Sequence, residues 1–171
     1  PGLYSDLDDI DGDHVTVHGR AAISYIFRPE IRLMLGAKYD QAFGEEEVYP
    51  YAGLKFSTKN KGVEFDLVYP EPRLAFNPTD TTQIFFYGKA IGGFWHETDD
   101  ELGASSDVEV EYSALQGGGG IALEVAYDMW IYLSGGMEFE RELNLDEESF
   151  GSVIDLDLED AWFARIGFVV K

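Results

Sequence analysis

The chain has 171 residues, a formal net charge of −21 and no cysteine. This length suits one domain. The lack of cysteine excludes a disulfide, a thiolate nucleophile and a zinc–thiolate cluster. So negative a charge argues against nucleic acid, which needs a basic surface, and against electrostatic docking on an anionic membrane. Hydrophobic residues make up 45% of the chain and aromatic residues 15%. The chain contains no run of about 18 apolar residues, so the sequence does not predict a membrane-spanning helix.

Period-2 alternation of apolar and polar side chains runs through most of the chain and predicts β-strands. The predicted strands are residues 14–27, 30–40, 48–58, 63–69, 73–76, 82–97, 108–127, 129–143 and 161–171. The alternation is cleanest in 30–40, where Ile31, Leu33 and Leu35 share one face. Most of these runs reach the roughly 9–11 residues with which a tilted strand crosses a bilayer.

Two segments interrupt this pattern. Pro70-Glu71-Pro72 should end strand pairing, because proline lacks an N–H donor and restricts the residue before it. The following Arg73 could then reach Asp66 across a short hairpin. The run Gly117–Gly120 coincides with a change in the face that carries the apolar residues, which predicts a bulge or bend in a long strand.

The connections between the predicted strands fall into two classes. Short turns at residues 28–29, 59–62, 77–80 and 127–128 alternate with longer acidic segments at 41–47, 98–107 and 144–155. Short turns on one side and long loops on the other are typical of membrane barrels, but bacterial single-chain barrels have even strand numbers and this pattern gives nine. We therefore expect residues 1–171 to form one antiparallel up-and-down transmembrane β-barrel domain. It would have about 10–12 strands when complete and would lack one or more N-terminal strands.

The last segment, 161–171, is expected to close the barrel. One of its rows, from Trp162 to Val170, is wholly apolar, while the other carries Arg165 and Lys171. A free apolar edge strand invites aggregation. Pairing of this strand with the first strand would remove that edge.

Three stretches resemble a family of bacterial outer-membrane β-barrel proteins of unknown function. They are residues 48–56 (VYPYAGLKF), 65–76 (FDLVYPEPRLAF) and 139–170. The resemblance extends over the whole chain and rests on the combination of these stretches. It implies a barrel fold in the bacterial outer membrane and supplies no catalytic residues. Lys171 departs from the terminal aromatic residue of such proteins.

The polar row of the predicted strands supplies candidate lumen residues. They are Arg20, Arg32, Lys38, Lys55, Glu64, Asp66 and Arg165. Unpaired charges inside a narrow barrel are costly, and both signs are present. The residues can therefore pair and fill the lumen, or they can line a selective pore.

No catalytic residue, metal site or cofactor is predicted. His14 and His18 would lie about 13 Å apart along a strand, too far to share a metal ion. His96, close to Asp99 and Asp100 in sequence, is the only candidate base for a surface hydrolase, but a loop histidine beside acidic residues is more often simply solvated. We therefore expect a protein that is not an enzyme. It would be a structural scaffold or narrow passive channel in the outer membrane, with acidic external loops.

Two further functions stay open. A soluble lipocalin-like barrel would turn Ile31, Leu33 and Leu35 inward around an apolar ligand. Alternatively, the chain could be the barrel subunit of a larger envelope complex. The expected partners are outer-membrane lipid, other envelope proteins and divalent cations at the acidic loops. The acidic segment at residues 9–13 does not have the spacing of an EF-hand calcium loop.

Overall fold

A computed structural model describes residues 2–3, 15–16, 18–99, 106–147 and 152–170, and every regular element in these ranges is a β-strand. The strands are β1 (Gly2–Leu3), β2 (Val15–Thr16), β3 (Gly19–Arg28), β4 (Ile31–Phe43), β5 (Glu45–Ser57), β6 (Val63–Tyr69), β7 (Arg73–Thr79), β8 (Thr82–Asp99), β9 (Ser106–Ala126), β10 (Met129–Glu147), β11 (Ser152–Leu158) and β12 (Ala161–Val170). Within the described ranges, no helix is long and apolar enough to cross a membrane.

Ten strands, β3 to β12, form one antiparallel sheet, and β1 pairs with β2 in a separate two-stranded sheet. From β3 to β11 each strand pairs with its neighbour in sequence. The long strand β10 pairs with β12 along residues 129–138 and with β11 along residues 141–147. The predicted all-β, antiparallel, up-and-down architecture is confirmed.

The predicted closure of the last strand onto the first is wrong for this sheet. β12 pairs with β10, and the partner of β3 among the described strands is β4. The sheet is therefore open. Both outer strands therefore present an unpaired edge within the described part of the chain.

The two faces of the sheet differ sharply in exposure. One face exposes large apolar side chains, namely Ile23, Tyr25, Leu35, Leu54, Leu67, Phe86, Leu133, Ile166 and Phe168. The other face buries Tyr49, Tyr51, Val68, Ala75, Phe85, Gln116, Ala122 and Ser134. A single layer of strands can bury a side chain only where it curves around it. We therefore call the buried face the concave face and the apolar exposed face the convex face.

Glycines allow the strands to approach closely on the concave side. A Cβ atom on Gly53 would lie 2.0 Å from the carbonyl oxygen of Leu67, and one on Gly136 would lie 2.1 Å from that of Gly117. Any other residue would push these neighbouring strands apart. The tight curvature at these two points therefore depends on glycine.

The short strands β6 and β7 leave a gap between the upper parts of β5 and β8, which extend beyond them. Pro70–Pro72 ends both short strands, as predicted. The end of β4 fills this gap, where the backbone N–H of Phe94 donates to Oε1 of Gln41 at 3.4 Å. Ala42, Tyr49 and Ala90 form a small buried cluster at the same place. Strand β4 thus joins two parts of the sheet that β6 and β7 do not connect.

The acidic loops are shorter than predicted in the part of the chain that the structure describes, because strand pairing continues into their ends. β4 extends to Phe43, β8 to Asp99 and β10 to Glu147, and residues 152–158 form the additional strand β11. Backbone hydrogen bonds do not require apolar side chains, so charge alone did not mark the strand ends. The first long strand also begins later than predicted, at Gly19.

The bulge predicted at Gly117–Gly120 is also wrong. These glycines pair in unbroken register with both β8 and β10, and the register shifts fall instead between Met129 and Trp130 and between Phe139 and Glu142. The apolar residues change faces while the strand stays regular. In β9, Val110 and Ala114 are buried on the concave face, whereas Ile121 and Leu123 are exposed on the convex face.

Candidate functional site

The pairing register places all seven candidate polar residues on the concave face. They fall on three cross-strand rows: Arg20–Lys38–Tyr49; Arg32–Lys55–Asp66–Arg73–Tyr87; and Glu64–Ala75–Phe85–Gly120–Ser134–Arg165. Arg20 and Arg32 are exposed, while Lys38 makes the most contacts within the group. The candidates therefore share a face but do not form one cluster.

Lys38 is the centre of a buried charged group. Its Nζ atom lies 2.5 Å from Oδ2 of Asp40 and 2.5 Å from Oε1 of Glu71. The Tyr49 hydroxyl and the backbone N–H of Ala42 both donate to Oδ1 of Asp40. The Lys38 and Asp40 side chains are only 17% and 10% exposed, so each charge depends on the other for its solvation.

Lys55 and Asp66 form a second pair, with 2.7 Å between Nζ and Oδ2 and about a third of each side chain exposed. Asp66 is therefore not the partner of Arg73 that the sequence suggested. Nη2 of Arg73 instead donates to Oε1 of Gln83 at 2.6 Å. Its guanidinium also lies over the Phe85 ring, 5.2 Å from the ring centre.

A chain of hydrogen bonds continues from Arg73 along the concave face. Nε2 of Gln83 donates to Oδ1 of Asn77 at 2.8 Å, and Nδ2 of Asn77 donates to Oε1 of Glu64 at 3.4 Å. These four residues line a cavity of about 680 Å³ near the short turns. Its other lining residues are Asn60, Lys61, Thr79, Asp80, Phe85, Ala122, Trp130, Tyr132 and Val169.

Lys89 lies on a further row of the concave face, in register with Gln116 and Glu138. Nε2 of Gln116 donates to Oε1 of Glu138 at 2.7 Å, and the Tyr112 hydroxyl donates to Oε2 at 3.2 Å. Lys89 itself makes no hydrogen bond or ion pair with any residue that the structure describes. Arg165, the last candidate, packs over the Phe163 ring at 4.9 Å.

Sequence reasoning missed several of these residues. Asp40 could have been found, because it stands two residues after Lys38 and so on the same strand face. Glu71 could not, because its partner Lys38 is 33 residues away in sequence. Asn77 could not either, because its bond to Glu64 depends on how β6 pairs with β7. The bond of Gln83 to Arg73 depends on the register of β7 and β8.

Within the described residues, no group of three or more histidine, aspartate or glutamate side chains could hold a metal ion. His14 and the acidic residues 9–13 lie outside the described part of the chain. The side chains of His96 and Asp100, considered for a hydrolase, lie outside it too.

Comparison with known proteins gives one match. A family model described as a domain of unknown function (DUF6268) matches residues 1–171. Neither a curated protein nor a solved structure matches the chain. The geometry of the concave and convex faces is therefore the main guide to function.

Proposed function

The chain belongs to the family described as a domain of unknown function (DUF6268), and we propose that it is an integral β-barrel of the bacterial outer membrane. It would act as a structural scaffold or narrow passive channel. One observation carries this proposal: large apolar side chains are exposed on the convex face, while charged side chains line the concave face. This is the reverse of the arrangement that water favours, and it is the arrangement of a membrane barrel.

A single cross-strand row illustrates the apolar surface. Phe76, Ile84, Ile121, Leu133 and Ile166 are neighbours on five consecutively paired strands, and all five are exposed. Soluble monomers rarely expose a continuous apolar patch above a few hundred Å². In lipid the same row would be favourable, because apolar surface is removed from water.

The height of the apolar surface agrees with a bilayer. On β10 the convex residues from Met129 to Phe139 are apolar or glycine, and Glu140 follows them. Ten steps of about 3.3 Å span roughly 33 Å along the strand, which a tilt of roughly 40° reduces to about 25 Å. This is the height of the apolar band in outer-membrane barrels.

The concave face favours a filled or narrow interior over a wide pore. Lys38 is enclosed by two carboxylates, Lys55 pairs with Asp66, and Gln116 bonds Glu138. Paired charges of this kind occupy the interior and hold neighbouring strands together. A cavity of about 680 Å³ lies on the same face, near the short turns.

The proposal includes pairing of the two free edges. Unpaired backbone N–H and C=O groups cost several kcal/mol each in hydrocarbon, so a membrane sheet must close. The edges of β3 and β12, which do not pair with each other in this sheet, would pair with further strands. The same open edges favour the second candidate function, a barrel subunit of a larger envelope complex, because they could also pair with another chain.

The soluble lipocalin-like alternative receives no support from this geometry. It needs Ile31, Leu33 and Leu35 to surround an inner ligand. Leu35 is 55% exposed on the convex face, whereas the Lys38 side chain on the concave face of the same strand is only 17% exposed. An apolar interior would require the reverse orientation of β4.

Extraction of the native protein from cell envelopes tests the proposal. We expect the protein to dissolve only with detergent and to migrate differently in electrophoresis before and after heating, because a closed barrel resists unfolding by detergent. A detergent-free monodisperse protein would contradict the proposal. The measurement needs no knowledge of the transported solute.

A further inference from the structure

We propose that the cavity between Arg73 and Trp130 binds a neutral polyhydroxylated solute of the size of a mono- or disaccharide. This inference rests on the proposed function in that it names the solute class for the interior of the same barrel. The cavity lies near the short turns, and its volume of about 680 Å³ is within the roughly 300–1,000 Å³ typical of small-molecule sites.

The charges that line the cavity balance. Lys61 and Arg73 are cationic, while Glu64 and Asp80 are anionic. An anionic ligand would therefore be repelled by Glu64 and Asp80, and a cationic ligand by Lys61 and Arg73. Neither would gain net attraction from the lining as a whole. A neutral ligand meets no such penalty, although the chain as a whole carries a charge of −21.

Two half-buried aromatic rings supply flat apolar surface in the same cavity: Trp130 and Tyr132, which pack against the buried cluster of Ala75, Phe85 and Ala122. Phe85 stacks on Tyr87 with 6.1 Å between ring centres and is covered by the Arg73 guanidinium. Tyr132 occupies space that Gly167 leaves free, since a Cβ atom there would lie 2.4 Å from its hydroxyl. Flat aromatic surfaces of this kind suit the C–H faces of sugar rings, and tryptophan and tyrosine also offer a polar end.

The polar side of the cavity carries both donors and acceptors. The Arg73–Gln83–Asn77–Glu64 chain fixes the orientation of each side chain. Among the described contacts, hydrogen bonding uses only Nη2 of Arg73 and only Oε1 of Glu64. The other guanidinium N–H groups and the second carboxylate oxygen can therefore bond a ligand. A sugar hydroxyl both donates and accepts, so it can use both kinds of group.

Calorimetric titration of the full-length protein in detergent with maltose, glucose and the anion gluconate tests this assignment. We expect maltose to bind and gluconate to bind at least about tenfold more weakly, a difference of about 1.4 kcal/mol. Trp130→Phe and Gln83→Ala should each weaken maltose binding about tenfold. Trp162→Phe is the matched control, because Trp162 is 83% exposed on the convex face and should not affect binding.

Several results would overturn the inference. The first is the absence of any heat of binding with either sugar at concentrations up to about 100 mM, which would saturate a site with a Kd of about 1 mM. The second is gluconate binding as tight as maltose binding. The third is an equal loss of maltose affinity in Trp130→Phe and Trp162→Phe. Heat-dependent mobility of each variant shows whether it has folded, and Tyr132→Phe replaces any variant that has not. A heat-modifiable barrel that binds no sugar disproves this inference alone. A detergent-free protein that binds maltose disproves the membrane proposal and leaves the site standing.

Discussion

Lys38 and Glu71 are 33 residues apart in sequence, yet Nζ of Lys38 lies 2.5 Å from Oε1 of Glu71. The contact joins β4 to the turn that connects β6 and β7. Both short strands end at that turn, and beyond it no strand that the structure describes connects β5 with β8 through backbone pairing. The ion pair therefore holds together a part of the sheet that backbone hydrogen bonds leave weakly connected.

We expect Lys38→Met to lower the free energy of unfolding by about 3 kcal/mol, because removal of one partner leaves the Asp40 carboxylate buried without its cation. Urea unfolding in detergent micelles measures this change. Lys55→Met is the matched control, since Lys55 and Asp66 are each about a third exposed and should lose only about 1 kcal/mol or less. Equal losses in the two variants would contradict the role assigned to Lys38.

The Lys38 group also shows how far the sequence can lead. Period-2 alternation places Lys38, Lys55 and Asp66 each on the polar side of its own strand, because side-chain direction follows from local backbone geometry. The partner Glu71 was beyond reach, because it depends on where the turn after β6 folds. Sequence therefore predicts which side of a strand a residue occupies better than it predicts which distant residue it contacts.

The strand ends and the closure show the same limit. Pro70–Pro72 was a reliable signal, because proline directly removes a hydrogen-bond donor. The acidic segments were not, because Asp155 and Asp157 alternate with Ile154 and Leu156 in a regular strand. Closure depends on the summed curvature of ten strands, which no local pattern contains. The apolar row of β12 indicated an exposed surface, but it did not indicate which strand pairs with β12.

A charge on the convex face distinguishes a membrane protein from a soluble one. Leu133 stands near the middle of the apolar row of β10 and is 56% exposed. In lipid vesicles Leu133→Arg should destabilise the folded protein by about 2–4 kcal/mol, because the charge enters the hydrocarbon. Equilibrium unfolding from vesicles measures the loss. Tyr127→Arg, at the turn, is the control and should lose at most about 1 kcal/mol. If Leu133→Arg changed stability by less than about 0.5 kcal/mol, as is usual at a water-exposed surface, the membrane proposal would fail.

The close approach at Gly53 gives a prediction about curvature. A Cβ atom there would lie 2.0 Å from the backbone oxygen of Leu67, which cannot move without separating β5 from β6. We expect Gly53→Ala to cost about 1–3 kcal/mol of folding free energy. Gly88→Ala is the control, since its Cβ would lie 3.5 Å from the nearest atom, Cγ of Pro72. Alanine should be tolerated there or slightly stabilising. Similar losses in both variants, measured by urea unfolding, would show that glycine at Gly53 is not needed for the bend.

Lys89 gives a prediction about conduction, because it carries a charge on the concave face without a direct partner among the described residues. Lys38, Glu71, Glu138 and Arg165 are the charged groups that act on it. Lys89→Glu changes the local charge by two units where no salt bridge compensates, so we expect a conducting barrel to become more selective for cations. The reversal potential in a potassium chloride gradient across a planar bilayer measures the shift. Lys59→Glu makes the same charge change on an exposed turn residue and should shift the potential far less, because water and salt screen it. Equal shifts would place the selective region outside the concave face. No current in wild type or variants would leave the scaffold as the function of the barrel.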